Sequence, residues 1–176
     1  MASSTTILGP WIEKAYFTEE ARNRGTAVHE AAHAHLVGLW VPTLPPGWQP
    51  YFDSFRRWAD ARVDKVVLAE ERMESKLYGY NGKPDLVAVL RGEDFNTLAD
   101  WKTAMASSWW WVLQNVSYRQ LAHENGIPTH RGISVRLKSD GSMPKIYDYS
   151  NRSMQADLNV FLGGLVMYNF RKREGG

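Results

Sequence analysis

Cysteine is absent from the 176 residues, and this absence excludes several kinds of site at once. A chain without thiols forms no disulfides, holds no zinc through thiolates and binds no cysteine-ligated iron–sulfur cluster. A bound metal must therefore use carboxylates, histidines or carbonyl oxygens. The sequence also lacks an apolar run long enough to cross a bilayer, and Met1–Pro10 lacks the basic and then apolar pattern of a signal peptide. We therefore expect no membrane partner and a cytoplasmic location.

An excess of charge of one sign is also missing, because 21 basic residues nearly balance 19 acidic ones. A net charge of +2 does not by itself predict nucleic-acid binding. The chain is instead rich in apolar side chains: 44% of its residues are hydrophobic and eight are Trp. This composition is enough for one well-packed core, so the length predicts a single domain over residues 1–176.

Apolar periodicity and turn residues predict a chain that mixes helices with strands. Helical spacing and capping residues predict four helices, over Glu19–Trp40, Tyr51–Arg62, Ser107 or Ser108 to Glu124, and Ser153–Phe170. The core face of the last helix is predicted to carry Leu158, Phe161, Leu162, Leu165 and Val166. Strands are predicted at Asp85–Leu90 and Thr97–Lys102, and on both sides of two turns, Asn81-Gly82 and Asp140-Gly141. The segment from Val66 to Lys102 therefore reads as a β-meander.

Two acids and a lysine lie near the ends of the two central predicted strands. Asp85 begins one strand, and Asp100 and Lys102 are two residues apart near the end of the next. Alternate residues of a strand share a face, so Asp100 and Lys102 point the same way. Neighbouring antiparallel strands lie about 5 Å apart, which brings Asp85 toward Asp100 at a distance where both can bind one cation.

This arrangement suits metal-assisted hydrolysis of a phosphodiester. The metal draws charge from the phosphate and lowers the pKa of a bound water, while the lysine orients or deprotonates that water and offsets negative charge. D-x-K is a short pattern, however, and the alternative is that these are strand-edge acids paired with a lysine.

Gly82-Lys-Pro-Asp85 and Ala99-Asp-Trp-Lys-Thr103 together resemble the PD-(D/E)XK nuclease superfamily. Two further motifs resemble its RecB-type exonuclease branch. One is Gly25-Thr-Ala-Val-His29 followed by Glu30, on an upstream helix, and the other is Gln114-Asn-Val-Ser-Tyr118, on the helix after the catalytic strands. Glu74-Ser-Lys-Leu-Tyr-Gly79 is also similar to the strand that leads into the family's hairpin.

The resemblance implies a restriction-endonuclease-like α/β core, with a mixed central β-sheet flanked by helices. It implies a site in which Asp85, Asp100 and Lys102 are catalytic and the metal ligands are His29, Asp85, Asp100 and Trp101. Glu30 and Glu74 are accessory candidates. Gln114 and Tyr118, one helical turn apart, are expected to touch the substrate strand or to brace the site.

The activity that the resemblance implies is Mg²⁺- or Mn²⁺-dependent hydrolysis of DNA. We expect an exonuclease of phage or bacterial recombination, repair or replication, with other recombination or replication proteins as candidate partners. Some members of the branch carry a cysteine-bound iron–sulfur cluster. This chain departs from them because it has no cysteine, so no cluster is expected.

A rival metal motif overlaps the first one. His29-Glu30-Ala-Ala-His33 is a complete HExxH, which on a helix supplies two zinc ligands and the general base of a peptidase. A third ligand would have to come from Glu70, Glu71 or Glu74. The peptidase hypothesis leaves Asp85, Asp-Trp-Lys and Gln114…Tyr118 unexplained. A DNA-binding module without catalysis is a third hypothesis, which the presence of all three catalytic residues disfavours.

Three consecutive tryptophans, Trp109, Trp110 and Trp111, precede or begin the third predicted helix. An exposed indole can stack on an unpaired base. Three consecutive helical residues span most of the circumference of a helix, so we expect one of them to face the cleft while another packs against the sheet.

Overall fold

The computed structural model describes residues 1–12 and 18–175. The described chain forms five α-helices, α1 Ser4–Leu8, α2 Glu19–Leu36, α3 Gln49–Arg62, α4 Trp111–Glu124 and α5 Met154–Arg173. Its strands are β1 Ala2–Ser3, β2 Val63–Ala69, β3 Met73–Ser75, β4 Tyr80–Gly82, β5 Leu86–Leu90, β6 Asn96–Lys102, β7 Arg131–Arg136 and β8 Lys145–Asp148. None of the helices in this part of the chain combines the length and apolar character that a bilayer crossing needs.

The central sheet has five strands in the order β2-β5-β6-β7-β8. The pair β6 and β7 is parallel, and all the other neighbours in this sheet are antiparallel. A parallel pair needs a crossover, and α4 supplies it between β6 and β7. The predicted α/β fold with a mixed central sheet flanked by helices is confirmed.

Helices cover both faces of the sheet, so the strands separate two hydrophobic cores. One core holds Val28 of α2, Phe55 of α3 and Trp101 of β6. The other holds Leu98 of β6 together with side chains of α4 and α5. Because side chains alternate along β6, Asp100 and Lys102 lie on the α4 face with Leu98, while Trp101 lies on the α3 face.

A second, smaller sheet corrects the prediction of a turn at Asn81-Gly82. Its order is β1-β4-β3, and both residues of the predicted turn lie inside β4. The chain turns earlier, over residues 76–79, where Gly79 has a φ of +76° that suits glycine. The predicted continuous meander is therefore also wrong, because β3 and β4 do not join the central sheet.

Four helix boundaries also differ from the predictions, and one of them is the start of α3 at Gln49, two residues before the predicted Tyr51. The first predicted helix ends at Leu36 and not at Trp40. The third begins at Trp111, and the residue before it makes no side-chain cap hydrogen bond, so neither Ser107 nor Ser108 caps it. The first helix ends for a local reason: Gly38 has a φ of +72°, and the N–H of Leu39 donates a hydrogen bond to the Ala34 carbonyl oxygen.

The last helix begins where the sequence predicted it, because the Ser153 hydroxyl accepts a hydrogen bond from the backbone N–H of Ala156. It runs on to Arg173, three residues beyond the predicted end. Of the predicted core face, Leu158, Phe161 and Leu165 are buried, but Val166 is 66% exposed. The prediction for Val166 is therefore wrong.

Gly82 shows why a glycine stands in β4. A methyl group on its Cα would lie 2.7 Å from Cε1 of Tyr118 and 2.8 Å from Cδ1 of Leu121, both buried on α4. An atom closer than about 3 Å to this methyl group would have to move. The glycine is thus required by the packing of α4 against this strand and not by a turn.

We expect Gly82→Ala to lower the free energy of unfolding by about 1–3 kcal/mol, the usual cost of overpacking a core. Urea denaturation measures this. Gly163→Ala is the control, because no atom lies within 4 Å of the corresponding methyl position in α5 and alanine favours a helix by roughly 0.5–1 kcal/mol. Equal stability of the Gly82→Ala variant and the unmodified protein would contradict the close packing.

Candidate metal centre and catalytic residues

Three acidic or imidazole side chains from three separate elements converge at one end of the central sheet. They are His29 of α2, Glu70 directly after β2, and Asp85 directly before β5. Each offers a ligand atom, and these atoms all lie within 4.8 Å of one another. His29 Nδ1 is 3.3 Å from Glu70 Oε1 and 3.3 Å from Asp85 Oδ1. One imidazole nitrogen with two carboxylate oxygens is a donor set that Mn²⁺ and Mg²⁺ accept.

The backbone at Glu70 is strained. Glu70 has a φ of +55°, the left-handed region that residues other than glycine rarely adopt. Its N–H is shared between the carbonyl oxygens of Pro84 and Asp85, each at 3.2 Å, and its second carboxylate oxygen contacts the Lys83 ammonium. Strain of this kind persists only where the surroundings hold it, and it concentrates at functional sites.

Asp85 is held in a fixed orientation. Its Oδ2 accepts a hydrogen bond of 2.9 Å from the backbone N–H of Trp101, and its Oδ1 faces His29. Leu86 pairs with Ala99, so continuing this antiparallel register by one residue places Asp85 beside Asp100. The two aspartates therefore lie on neighbouring strands as predicted, although Asp100 is not among the three residues whose ligand atoms converge.

Asp100 and Lys102 form a buried ion pair beside the group of three. Lys102 Nζ lies 2.6 Å from Asp100 Oδ2, and Asp100 is 1% exposed. The same ammonium donates a hydrogen bond of 2.5 Å to Gln114 Oε1. Gln114 Nε2 in turn donates to Tyr118 Oη at 3.0 Å. The lysine is therefore held from the strand by a carboxylate and from α4 by an amide.

Burial and the neighbouring charges shift the pKa values of the two aspartates in opposite directions. Burial raises the pKa of Asp100 to about 6, with Lys102 acting against the rise and Asp85 adding to it. Burial also acts to raise the pKa of Asp85, but the charge and hydrogen bond of His29, the charge of Lys102 and the Trp101 N–H outweigh it and hold that pKa low. Asp85 is thus the more readily ionised of the pair.

His29 responds to the two carboxylates that face it. Burial acts to lower its pKa, but Asp85 and Glu70 outweigh this effect and raise the pKa to about 10 in the metal-free protein. A proton and a cation compete for the same imidazole. The proton therefore occupies this position when no metal is bound.

The residues present fit a divalent cation. The ligand atoms of His29, Glu70 and Asp85 lie as close together as atoms that share one ion. Asp100 also has a feature that fits a nearby cation. Its buried Oδ2 has no partner in hydrogen-bond geometry despite the short contact with Lys102. Buried carboxylate oxygens without such partners are rare unless another group satisfies them.

The structure brings together His29, Asp85, Asp100 and Lys102, as the sequence predicted, although Asp100 lies outside the group of three. The side chain of Trp101 is fully buried in the α3 core and an indole has no ligand atom, so only its backbone carbonyl remains as a metal donor.

The motif residues on α4 lie deeper than a substrate-contact role requires. Gln114 is 5% exposed and Tyr118 is 6% exposed. Their hydrogen bonds run toward Lys102, an arrangement that favours bracing the site over touching the substrate.

The two accessory candidates lie apart from the metal ligands. Glu30 is exposed on α2, and Glu74 is exposed on β3 of the small sheet. Glu70 was not predicted as a ligand of the nuclease site, but only as a candidate third zinc ligand of a peptidase. The sequence feature that could have identified Glu70 is its position as an acidic residue directly after β2, the strand that pairs with β5.

The HExxH motif does not form a metal site in the part of the chain that the structure describes. His33 is not among the residues whose ligand atoms converge with His29, and its Nδ1 is buried without a partner. The imidazole of His29 faces Glu70 and Asp85 instead.

No family model matches the sequence, and no curated protein matches it. Among solved structures, a protein from Eubacterium rectale described as a "putative exonuclease" shares 11% identity with this chain. The alignment covers 98% of this chain and 73% of that one, with a TM-score of 0.58. At this identity the likeness shows a shared fold. A second structure, of the protein called SSO0001, is 12% identical over 94% of this chain and 84% of that one, with a TM-score of 0.40, which is too low to show a common fold.

We expect Glu70→Gln to weaken Mn²⁺ binding by at least about tenfold, because it removes one of the two carboxylate charges among the three ligands. Isothermal titration calorimetry measures the affinity. Glu74→Gln is the matched control, since it removes the same charge from an exposed position on the small sheet. Equal affinity in the two variants would remove Glu70 from the metal site.

A second expectation concerns the metal-free protein and its stability against pH. The folded pKa of His29 is about 10, above its ordinary 6.5, so the stabilisation from its protonated form is complete below pH 6.5 and is lost as the pH rises through 10. Denaturation in chelator should show a decline over this range that His29→Gln lacks. His130→Gln, at an exposed histidine, should keep the decline. A flat profile in the unmodified protein would contradict the ion pairing.

Proposed function

We propose that this protein is a metal-dependent DNA nuclease that hydrolyses phosphodiester bonds. The observation that carries the proposal is the convergence of His29, Glu70 and Asp85 within 4.8 Å of one another, beside the buried pair of Asp100 and Lys102. Mg²⁺ or Mn²⁺ would be held by this group. The name of the Eubacterium rectale protein, whose fold is similar, supports the same activity.

The residues around the metal position have separate tasks. His29, Glu70 and Asp85 would hold the cation, and the Trp101 N–H keeps Asp85 turned toward it. A bound divalent cation draws charge from the scissile phosphate and lowers the pKa of a coordinated water. Asp100 keeps the ammonium of Lys102 at the site through their 2.6 Å contact.

Lys102 provides the positive charge of the site that does not depend on metal. An ammonium has three donors. Gln114 accepts a hydrogen bond from one of them, and the ammonium also lies 2.6 Å from Asp100 Oδ2, so donor capacity remains for a phosphate oxygen or for the attacking water. Gln114 and Tyr118 are positioning residues in this proposal, because they act on substrate through Lys102.

The finer features of the proposal rest on the resemblance of the motifs to the RecB-type branch. They are that the nuclease works from a DNA end as an exonuclease, that it forms one domain, and that it acts in phage or bacterial recombination, repair or replication. Other recombination or replication proteins are the proposed partners. A cytoplasmic location belongs to the same proposal.

The two other hypotheses receive less support. A zinc peptidase requires His33 as a ligand and Glu30 as a general base, but His33 is outside the converging group and Glu30 is exposed. A DNA-binding module without catalysis would not need a buried carboxylate and lysine held 2.6 Å apart next to a metal-binding group.

One assay distinguishes all three hypotheses. End-labelled linear DNA, closed circular DNA and an unstructured protein are each incubated with the purified protein in Mg²⁺, Mn²⁺, Zn²⁺ or chelator. We expect Mg²⁺- or Mn²⁺-dependent loss of linear DNA with circular DNA intact. Cleavage of circular DNA would show that the protein is an endonuclease and not an exonuclease. Zn²⁺-dependent proteolysis would contradict the nuclease proposal and support the peptidase.

In the same assay we expect Lys102→Ala to reduce the cleavage rate by about 100- to 1,000-fold, because it removes a preorganised donor from a dry site. Its fold, monitored by circular dichroism, should persist. Lys65→Ala, at an exposed position of β2, should cleave at the unmodified rate. Equal rates in the two variants would remove Lys102 from the mechanism.

A further inference from the structure

A cavity of about 420 Å³ lies at the start of α4, between α4, β8 and α5. Its volume is within the range of roughly 300–1,000 Å³ that small-molecule sites occupy. Aromatic rings, aliphatic side chains, serine hydroxyls, one guanidinium and one carboxylate line it. The proposed reaction uses none of them.

Four aromatic side chains line the cavity: Trp109, Trp111, Tyr147 and Tyr149. Trp111 is 2% exposed and is fixed against Tyr147, with the ring centroids 5.6 Å apart at 88°. Trp109, two residues earlier, is 60% exposed and leaves much of its indole uncovered at the cavity. Tyr149 adds a fourth ring to the lining. The cavity therefore combines a rigid apolar wall with a free aromatic platform.

The cavity lies next to the catalytic residues through two contacts. The ring of Trp110, between the two lining tryptophans, has its centroid 5.6 Å from Lys102 Nζ. Tyr149 donates a hydrogen bond of 2.9 Å to Ser134 Oγ, and Ser134 pairs in register with Asp100 on the adjacent strand. A group bound in the cavity would therefore be separated from the Asp100–Lys102 ion pair by the Trp110 ring on one side and by Ser134 of β7 on the other.

The charge of the cavity suits a ligand attached to a phosphate chain. Among the described residues that line it, Asp157 is the one acid, and Arg152 neutralises it through two hydrogen bonds of 2.8 and 2.6 Å. This pairing uses Nε and Nη2 of Arg152, which leaves Nη1 free for another acceptor. The carboxylate also fixes the guanidinium at the rim.

We propose that this cavity binds one unpaired base of a DNA strand, with Trp109 as its stacking platform. A base in a duplex has both faces and its pairing edge covered, so only an unpaired base can enter. The site would hold a single-stranded end or a nucleotide next to the bond that is cut. This inference rests on the proposed nuclease function for its biological meaning, but the binding itself requires no cleavage.

The test measures binding in chelator, where no cleavage is expected. Fluorescence anisotropy with a labelled single-stranded oligothymidylate and with a blunt hairpin duplex compares the unmodified protein with Trp109→Ala. We expect Trp109→Ala to bind the single strand about 5- to 150-fold more weakly, the usual loss for one stacked base, and to bind the duplex unchanged. Trp40→Ala is the matched control, because Trp40 is 80% exposed and does not line the cavity. It should bind both ligands normally.

A second measurement locates the base directly. An oligonucleotide with 2-aminopurine at its end should lose fluorescence on binding to the unmodified protein, since stacking on indole quenches it, and should keep its fluorescence with Trp109→Ala. Thermal melts should be the same, because an indole that is 60% exposed contributes little to the core.

Three results would overturn the proposal: unchanged single-strand affinity in Trp109→Ala, an equal loss for duplex and single strand, or no single-strand binding by the unmodified protein. The nuclease proposal fails separately, if the unmodified protein does not cleave DNA in Mg²⁺ or Mn²⁺. Selective loss of single-strand binding without any cleavage would keep the base site and remove the nuclease.

Discussion

Two buried carboxylates side by side are the constraint on which the rest of the site depends. Asp85 lies directly before β5 and Asp100 lies near the end of the neighbouring β6, and both are at most 5% exposed. Ionised acids in this position repel each other and lose their hydration, so the fold must supply compensating charge. It does so with Lys102 on one side and His29 on the other, and each of these requires its own support.

The need for compensating charge explains why elements distant in sequence meet beside Asp85 and Asp100. α2 brings His29 over the end of the sheet from the α3 face, while α4 brings Gln114 to Lys102 from the opposite face. Glu70 is held in a costly left-handed conformation by the carbonyls at the start of β5. A cation held by His29, Glu70 and Asp85 would add positive charge next to both aspartates, which is why we propose metal chemistry here and not a purely structural ion pair.

The strands at the centre of the site were predictable because Asp85, Asp100 and Lys102 lie on alternating, strongly apolar segments, where a period of two determines which face each residue takes. His29, and Gln114 and Tyr118 of α4, were predicted from the resemblance of their motifs to those of the RecB-type branch. Glu70 was not predicted, since its position depends on an irregular backbone after a bulged strand and on a hydrogen bond to a residue 15 positions away. Asn81-Gly82 misled for the opposite reason: a strong local turn signal coincided with a glycine that packing requires.

The hydrogen bond from Lys102 to Gln114 links the state of the crossover helix to that of the site. If α4 loosens while the central strands stay paired, the ammonium loses one of its two holders and the tyrosine behind it loses its partner. A partly opened molecule would therefore lose the fixed position of Lys102 before the whole protein unfolds. In the nuclease that we propose, a molecule whose α4 has loosened would cut DNA more slowly than a fully folded one, and this dependence arises from the position of one glutamine.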